Sequence, residues 1–285
     1  MTPTVFVTGA GGQLGRAVVD HLRSRGYATV AADRQAVDVA DRDVVMAAVV
    51  GARPDVVVHT AAWTAVDACE ADPDRAFAVN ALGTRHVAEA AAAVGAHLCY
   101  VSTDYVFDGT AERPYTEWDR PRPLSVYGRS KLAGEVEAGP AATVVRTSWV
   151  FGPHGSNMML TVLRLAASGA PLRFVDDQRG SPSCTTDIAP VLCELALGRR
   201  RGVWHVTNAG STTWFGFARE VAAAAGHDPA SVEPIATAEL DPPRPAPRPA
   251  CAVLDNAALR LSGLSGCRPW QEAVAAAVSA AGVGR

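Results

Sequence analysis

None of the six cysteines, at 69, 99, 184, 193, 251 and 267, forms a CxxC pair. The chain therefore lacks the usual signature of a redox or zinc pair, and its thiols read as reduced and mostly structural in a cytoplasmic setting. It also lacks a surplus of either charge: 26 basic and 29 acidic side chains leave a formal net charge of -3. That excludes a nucleic-acid-binding or membrane-binding surface as the expected partner. The Ala-rich runs are broken by charge or glycine before they reach the roughly 18 to 20 apolar residues of a membrane span. The opening "MTPTVFVTGA" has no basic segment ahead of its apolar run, so no signal peptide is expected. No internal repeat is present.

What is present is a regular alternation of strands and helices. "TVFVT" is a short apolar strand ending at Thr8, and a glycine turn then opens a helix that stops at Gly26. "YATVAAD" reads as the second strand and "DRDVVMAAVVGARPD" as a helix closing before Pro54. "VVVHTAA" has no polar alternation and reads as a strand buried on both faces. "PDRAFAVNALGTRHVAEAAAAVG" is one long helix, with Pro73 near its start and Gly95 after its end. "AHLCYVS" is the next strand. This order predicts an α/β fold, a Rossmann-type parallel sheet with helices on both faces.

After residue 110 the texture changes. "ERPYTEWDRPRPLSVYG" is Pro-rich, aromatic and charged, and reads as a functional loop. Helices follow at "GRSKLAGEVEAG", at "NMMLTVLRLAASG", at "TTDIAPVLCELALG" with Thr185 or Thr186 as cap, and near "TWFGFAREVAAAAG". Strands fall at "AATVVRTSWVFG", "LRFVDD" and "GVWHVTNAG". "LDPPRPAPRPA" carries five prolines in eleven residues and reads as an extended segment laid on a folded surface. The expected division is a dinucleotide-binding domain over 1–148 with returning segments near 176–205. A smaller, discontinuous C-terminal substrate domain takes 149–175 and 206–285.

"VTGAGGQLG" places Gly9, Gly12 and Gly15 in a GxxGxxG pattern between a strand and a helix. The first glycine permits the tight turn, the second lets the backbone approach a pyrophosphate, and the third lets helix and strand pack closely. The pyrophosphate then meets unpaired N–H groups at the helix N-terminus, with Gln13 and Leu14 beside it. Asp33 ends the second strand, where a carboxylate accepts the ribose hydroxyls of an NAD-type adenosine. Arg34 follows, able to pair with the 2′-phosphate of NADP or to stack on adenine. Asp38 is placed near the adenine edge. Ala61 and Ala62 are small enough to let the third strand's end pass the cofactor.

Downstream, "YGRSK" sets Tyr127 and Lys131 four residues apart, on one helix face. A phenol titrates near pH 10, too high for acid–base work at neutral pH, and an adjacent ammonium is expected to lower it. The same lysine can hold the nicotinamide ribose. Tyr127 then protonates a carbonyl oxygen as hydride reaches its carbon, and Thr103 bonds that oxygen. Asp104 lies beside the reacting oxygen, while Ser102 either assists or faces the core. The polar end of "VSTDYVF" thus reads as one wall of a reaction site.

These residues resemble the dTDP-4-dehydrorhamnose reductase family of the extended short-chain dehydrogenase/reductases. The likeness runs through "GGQLG", "HTAAWTAVDACE", "VNALGT", "STDYVFDG", "YGRSKLAGE", "RTSWVFG", "DQRGSPS", "GVWHVTNAG" and "RPAPRPACAVLDNAAL". It implies reduction of the C4 ketone of dTDP-4-dehydro-6-deoxy-L-mannose to dTDP-L-rhamnose by a reduced nicotinamide cofactor. Asp33 and Arg34 together make NADPH the expected preference, with NADH possible. By this similarity Thr103, Tyr127, Lys131 and Asp104 form the catalytic set. Thr64, Val66, Trp149, Asn157 and Gln178 surround the dTDP-sugar. His59 stands where relatives often carry Asn, and Ser183 where the common pattern ends in Thr. Some relatives form a Mg-linked dimer through glutamates near the C-terminus. Here Glu272 is followed by Ala275, with Glu194 as another donor, so no metal is expected and the chain is read as a monomer or metal-independent homodimer. A related dTDP-sugar in a specialised pathway, such as dihydrostreptose synthesis, is the nearest alternative substrate. A dehydratase needs an acid where Tyr105 stands, and a non-enzymatic regulatory subunit has no need of Tyr127 and Lys131.

Overall fold

The computed structural model describes residues 2–282. Strand β1 (Thr4–Thr8) leads through the glycine turn into helix α1 (Gln13–Ser24). Then follow β2 (Ala28–Ala32), α2 (Arg42–Ala52) and β3 (Val56–His59). Short helices α3 (Val66–Ala71) and α4 (Pro73–Phe77) precede α5 (Gly83–Ala93), β4 (His97–Thr103), α6 (Val126–Ala138) and β5 (Thr143–Thr147). The chain leaves the sheet through β6 (Val150–Phe151), α7 (Met158–Ser168), β7 (Leu172–Val175), β8 (Arg179–Gly180) and β9 (Ser183–Cys184). It returns with α8 (Thr185–Leu197) and β10 (Gly202–His205).

The main sheet has six parallel strands in the order β10-β5-β4-β3-β1-β2. Chain order reverses between β1 and β3, and a crevice forms there at the carboxyl ends of the strands. Thr8 is in register with His59, and Thr103 with Thr147, so four strand ends face one rim. Both faces of the sheet are buried by alternation. Val5 and Val7 pack with Val18, Leu22, Ile188 and Leu192 of α1 and α8. Phe6, between them, packs with Val45, Val49, Val87 and Ala90 of α2 and α5. The Rossmann-type sheet expected from the alternation is present.

A separate core lies beyond β5. Helix α7 packs with α9 (Trp214–Ala224) and α11 (Trp270–Ala280) around Met159, Phe174, Phe217, Val221 and Val274. Strand β7 pairs there with β12 (Val232–Ile235), and β8 with β11 (Thr212–Thr213). The Pro-rich strap crosses toward α10 (Ala257–Leu261).

Two local expectations differ. The helix expected over residues 73–95 is broken by a π turn at Ala78–Leu82. Within it the Asn80 amide leaves the helix face to accept from Trp63 N (2.8 Å) and donate to Trp63 O (3.1 Å) and Ser130 Oγ (2.9 Å). A π turn is the usual form in which a functional side chain is re-aimed inside a helix. Neither Thr185 nor Thr186 caps α8: Cys184 holds the cap position, and its N–H donates to Asn208 Oδ1 at 2.7 Å. All six cysteines are free, and Cys69, Cys99, Cys184 and Cys193 are buried. Among the described residues no helix is long and apolar enough to cross a membrane.

Candidate active site

The glycine turn requires its glycines to different degrees. Gly9 has φ +66°, and a β-carbon there would lie 2.6 Å from Ala61 N. A β-carbon on Gly15 would overlap the Gly9 carbonyl oxygen. Gly12 donates to that oxygen at 2.9 Å and starts α1 without a side-chain cap, so N–H groups of the first turn stay open to an anion. A cavity of about 400 Å³ covers this turn, lined by Gly9, Gly12, Asp33, Arg34, Asp38, Ala61, Ala62, Trp63 and Arg75. Asp33 Oδ1 accepts from the N–H groups of Gln35 and Ala36, each at 3.0 Å, which fixes the carboxylate at the end of β2. Arg75 lies 4.5 Å above the Trp63 ring, adding a second guanidinium beside Arg34.

A second cavity, about 390 Å³, shares Gly12, Thr60 and Ala62 with the first. Gln13, Leu14, Gly15, Thr64, Val66, Thr103, Asp104, Tyr127, Lys131 and Trp149 line it. Tyr127 and Lys131 come from α6, whose start is capped by Ser125 Oγ accepting from Gly128 N at 3.1 Å. Lys131 Nζ donates to the Val101 carbonyl at 2.7 Å and lies 4.1 Å from the Tyr100 ring centre. Burial lowers its pKa to about 7, against the opposing pull of Glu135. Tyr127 moves the other way. Burial raises its pKa, with the Thr103 hydroxyl opposing. The expected net depression is therefore not seen, because desolvation outweighs the attractions on this buried phenol.

Asp104 is buried, and burial raises its pKa to about 7. Its Oδ1 accepts from Thr103 Oγ1 at 2.9 Å, while Oδ2 has no partner among the described residues. Thr147 Oγ1, also buried at this cavity, has none either. Unpartnered buried polar atoms are costly and suit a polar ligand. Together with a glycine cradle that any β-carbon would fill, they fit a nicotinamide dinucleotide and a polar second substrate. Ser102 donates to Glu135 Oε1 at 2.6 Å, and Glu135 is paired with Arg146 at 2.7 Å in the interior. Both Ser102 and Arg146 are thus tied into a buried polar cluster beside the site.

Asn157 and Gln178 do not line either cavity. Asn157 caps α7 by accepting from Leu160 N at 3.1 Å, and its amide donates to Gln13 Oε1 at 3.0 Å. Gln13 in turn donates to Ser156 O at 2.9 Å, so its side chain braces the 152–157 loop. Gln178 is buried and donates to Thr237 Oγ1 at 2.8 Å. Trp149 is at the cavity, with φ +45°, but one indole face is covered by Trp214, stacked at 3.6 Å and 6°. His59, fully buried, bridges Thr8 Oγ1 (2.7 Å) and Thr84 Oγ1 (3.2 Å), and burial lowers its pKa to about 3. Trp214 and Arg75 line the cavities without having been singled out in the sequence, and Tyr105, named there only as the place of a dehydratase acid, lines the second. Tyr105 directly follows the Thr103-Asp104 strand end and was the one signal available.

A model described as the RmlD substrate binding domain matches residues 3–282. The chain belongs to the dTDP-4-dehydrorhamnose reductase family. A dTDP-4-dehydrorhamnose reductase of Streptomyces griseus is 43% identical over 281 residues, covering 95% of this chain and 92% of that one. A dTDP-4-keto-6-deoxy-D-glucose reductase of Streptomyces niveus is 39% identical over 283 residues, 96% of each. The crystal structure of a Bacillus anthracis dTDP-4-dehydrorhamnose reductase in complex with NADP superposes with a TM-score of 0.93 at 35% identity. It covers 98% of this chain and 100% of that one. The reductase described here is accordingly an oxidoreductase with an NAD(P)-binding Rossmann-type fold.

Proposed function

We propose that the enzyme reduces the C4 ketone of dTDP-4-dehydro-6-deoxy-L-mannose to dTDP-L-rhamnose. The observation that carries this reading is that Thr103, Asp104, Tyr127, Lys131 and Trp149 line one cavity, continuous through Gly12, Thr60 and Ala62 with the cavity over the glycine turn. Bound NADPH, or NADH less well, supplies the hydride that reduces the carbonyl carbon. Gly9, Gly12, Gly15 and the start of α1 hold the pyrophosphate, Asp33 the adenosine ribose and Arg34 a 2′-phosphate. The Thr103 hydroxyl, which donates to Asp104 Oδ1 at 2.9 Å, turns its one proton to the carbonyl oxygen. Tyr127 donates its phenolic proton to the same oxygen, and the Lys131 ammonium stabilises the phenolate left behind. Asp104 lies beside the reacting oxygen, while Thr64, Val66 and the free side of Trp149 bound the sugar. Two separate cores support the division into a 1–148 nucleotide domain with returning segments and a 149–175 plus 206–285 substrate domain, though Val206 and Leu259 pack in the first core. No step calls for a metal.

The test is incubation with NADPH and dTDP-4-dehydro-6-deoxy-L-mannose, with the product read by NMR. Formation of dTDP-L-rhamnose is expected. The likeness to the Streptomyces niveus protein favours running dTDP-4-keto-6-deoxy-D-glucose in parallel. Faster turnover of that sugar would move the assignment to a specialised deoxysugar. A chain that consumes no NADPH with either would lose the reductase reading.

A further inference from the structure

Helix α6 lies so close to β4 that a β-carbon on Gly134 would overlap the Tyr100 hydroxyl and the Asn80 carbonyl oxygen. Lys131 and Glu135 flank that glycine, one turn apart on the same face of α6. Each bonds the strand beneath it. Lys131 Nζ donates to Val101 O at 2.7 Å, and Glu135 Oε1 accepts from Ser102 Oγ at 2.6 Å. Arg146 on β5 is in register with Ser102 on β4, so their side chains rise from the same face of the sheet. Arg146 Nε donates to Glu135 Oε1 at 2.8 Å, and Nη2 to Oε2 at 2.7 Å. This is the two-pronged fork that suits a carboxylate. The Arg146 and Glu135 side chains are only 4% and 8% exposed.

Two cations and one carboxylate are thus sealed between α6 and the sheet. Glu135 pulls on the Lys131 ammonium as well as on Arg146. The Arg146 fork and the Ser102 hydroxyl together engage both carboxylate oxygens. Lys131 is left on Val101 O, lining the reaction cavity with Tyr127. The two cations are not equivalent: the arginine fork is pre-organised, whereas a lysine is a point charge on a flexible stem. Without Arg146, the buried carboxylate keeps one donor, Ser102, and an uncompensated charge in the interior is strongly unfavourable. Lys131 can relieve it by swinging from Val101 O to Glu135. Tyr127 lies one turn before Lys131 and Glu135 one turn after it, so that swing carries the ammonium away from the phenol.

We propose that Arg146 is a positioning residue for the reduction: by occupying Glu135 it leaves the Lys131 ammonium to Tyr127 and the nicotinamide ribose. The inference rests on the roles proposed above for Tyr127 and Lys131. The test measures ketosugar turnover and NADPH affinity in Lys131→Met, Arg146→Met, Glu135→Gln and the double variant Arg146→Met/Glu135→Gln, with melting temperature as a fold control. Arg146→Met should lose turnover roughly tenfold or more and bind NADPH more weakly, as a diverted lysine would. Adding Glu135→Gln removes the competing charge, so the double variant should return to within about threefold of Glu135→Gln alone. A residue that served packing only would give a double variant no better than Arg146→Met, and that result overturns the proposal. Near wild-type turnover in Arg146→Met overturns it too. If Arg146→Met does not fold, the double variant still decides, because a buried ion pair replaced on both sides by neutral groups is tolerated far better than one broken on a single side. A folded double variant well below Glu135→Gln in turnover then overturns the proposal. Near-normal turnover in Lys131→Met overturns the role of Lys131 itself, and the positioning role with it.

Discussion

Trp149 and Trp214 stack face to face, 3.6 Å between ring centres and within 6° of parallel. Trp149 leaves β5 with φ +45°, a conformation unfavourable for a residue with a β-carbon. Gly180 lies close behind: a β-carbon there would overlap Trp149 Cε2. The indole is thus held in a slot, and Trp214 is one wall of it. Trp214 itself rests edge-on against Phe217, at 6.1 Å, in the core of the second lobe. The pair links that core to the reaction cavity.

Trp214→Ala should therefore loosen Trp149 at the cavity proposed to hold the sugar. An aromatic pair contributes about 0.5–1.5 kcal/mol beyond its buried area, which corresponds to roughly a two- to tenfold rise in KM for the ketosugar. KM for NADPH should stay constant, and Trp214→Phe should recover most of the loss. Steady-state kinetics with each substrate varied in turn measure this. If the alanine variant kept its KM for the ketosugar, the stack would be idle in substrate binding.

Tyr127→Phe keeps the ring against Tyr105 and removes the proton donor. Turnover should drop by roughly 10² or more, the usual scale for a lost acid–base group. Cofactor affinity, followed by NADPH fluorescence, should be preserved. Near-normal turnover with the chemical step rate-limiting would remove Tyr127 from its assigned role.

Much of this arrangement is legible in the chain, and the exceptions have physical reasons. The turn at Gly9, the parallel sheet and the shared face of Tyr127 and Lys131 are local patterns, governed by φ, strand alternation and helical spacing. The π turn at Ala78–Leu82 is not local, since it answers to the Trp63 backbone that Asn80 must reach. Trp214 meets Trp149 only through tertiary packing, so neither tryptophan announces the other. The direction of the Tyr127 shift is hidden from the sequence for a related reason. Helical spacing shows that Lys131 can reach the phenol, but the 2.7 Å bond to Val101 O and the depth of burial depend on the folded core. Resemblance puts Asn157 and Gln178 at the substrate, whereas here the first caps α7 and the second bonds Thr237.

Asp104 makes stability depend on pH in a defined direction. Its carboxyl titrates near 3.8 when unperturbed, and burial raises it to about 7 in the folded chain. Between those values the folded state holds a proton that the unfolded chain has released, so stability falls as pH rises through the window. Asp104→Asn removes the titration, and its stability relative to wild type should improve steadily from pH 4 to pH 7. Lys131 acts with the opposite slope but above about 7, so it leaves this window clear. Urea unfolding of both proteins at pH 4.5, 5.5 and 6.5 tests the point. Parallel stability curves would mean that Asp104 is ionised throughout.

Arg34 and Asp33 both line the glycine-turn cavity, giving a mixed cofactor signal. Asp33 favours ribose hydroxyls, while Arg34 can meet a 2′-phosphate. Arg34→Ala should weaken NADPH several-fold more than NADH, because only the former loses a charge-assisted contact. Arg75 also lines this cavity, so some NADPH preference should survive in the variant. Equal losses for the two cofactors would take Arg34 out of the phosphate role.

Assembly should not depend on a divalent metal. Among the described residues no group of three or more His, Cys, Asp or Glu side chains is placed to hold an ion. Asp187, beside the C-terminal helix, already faces a cation. Arg268 donates to Asp187 Oδ2 and Oδ1, each at 2.9 Å, and Glu272 acts on the same guanidinium. Glu194 shares a shallow pocket with Arg268 as well. A hard cation needs several oxygen ligands, and bringing one here would set it against a fixed positive charge. Light scattering coupled to gel filtration should thus give one mass with Mg²⁺ and with EDTA, and turnover should survive chelation. A dimer that dissociates in EDTA and reforms on adding Mg²⁺ would show that Glu272 or Glu194 can ligate a shared ion despite Arg268.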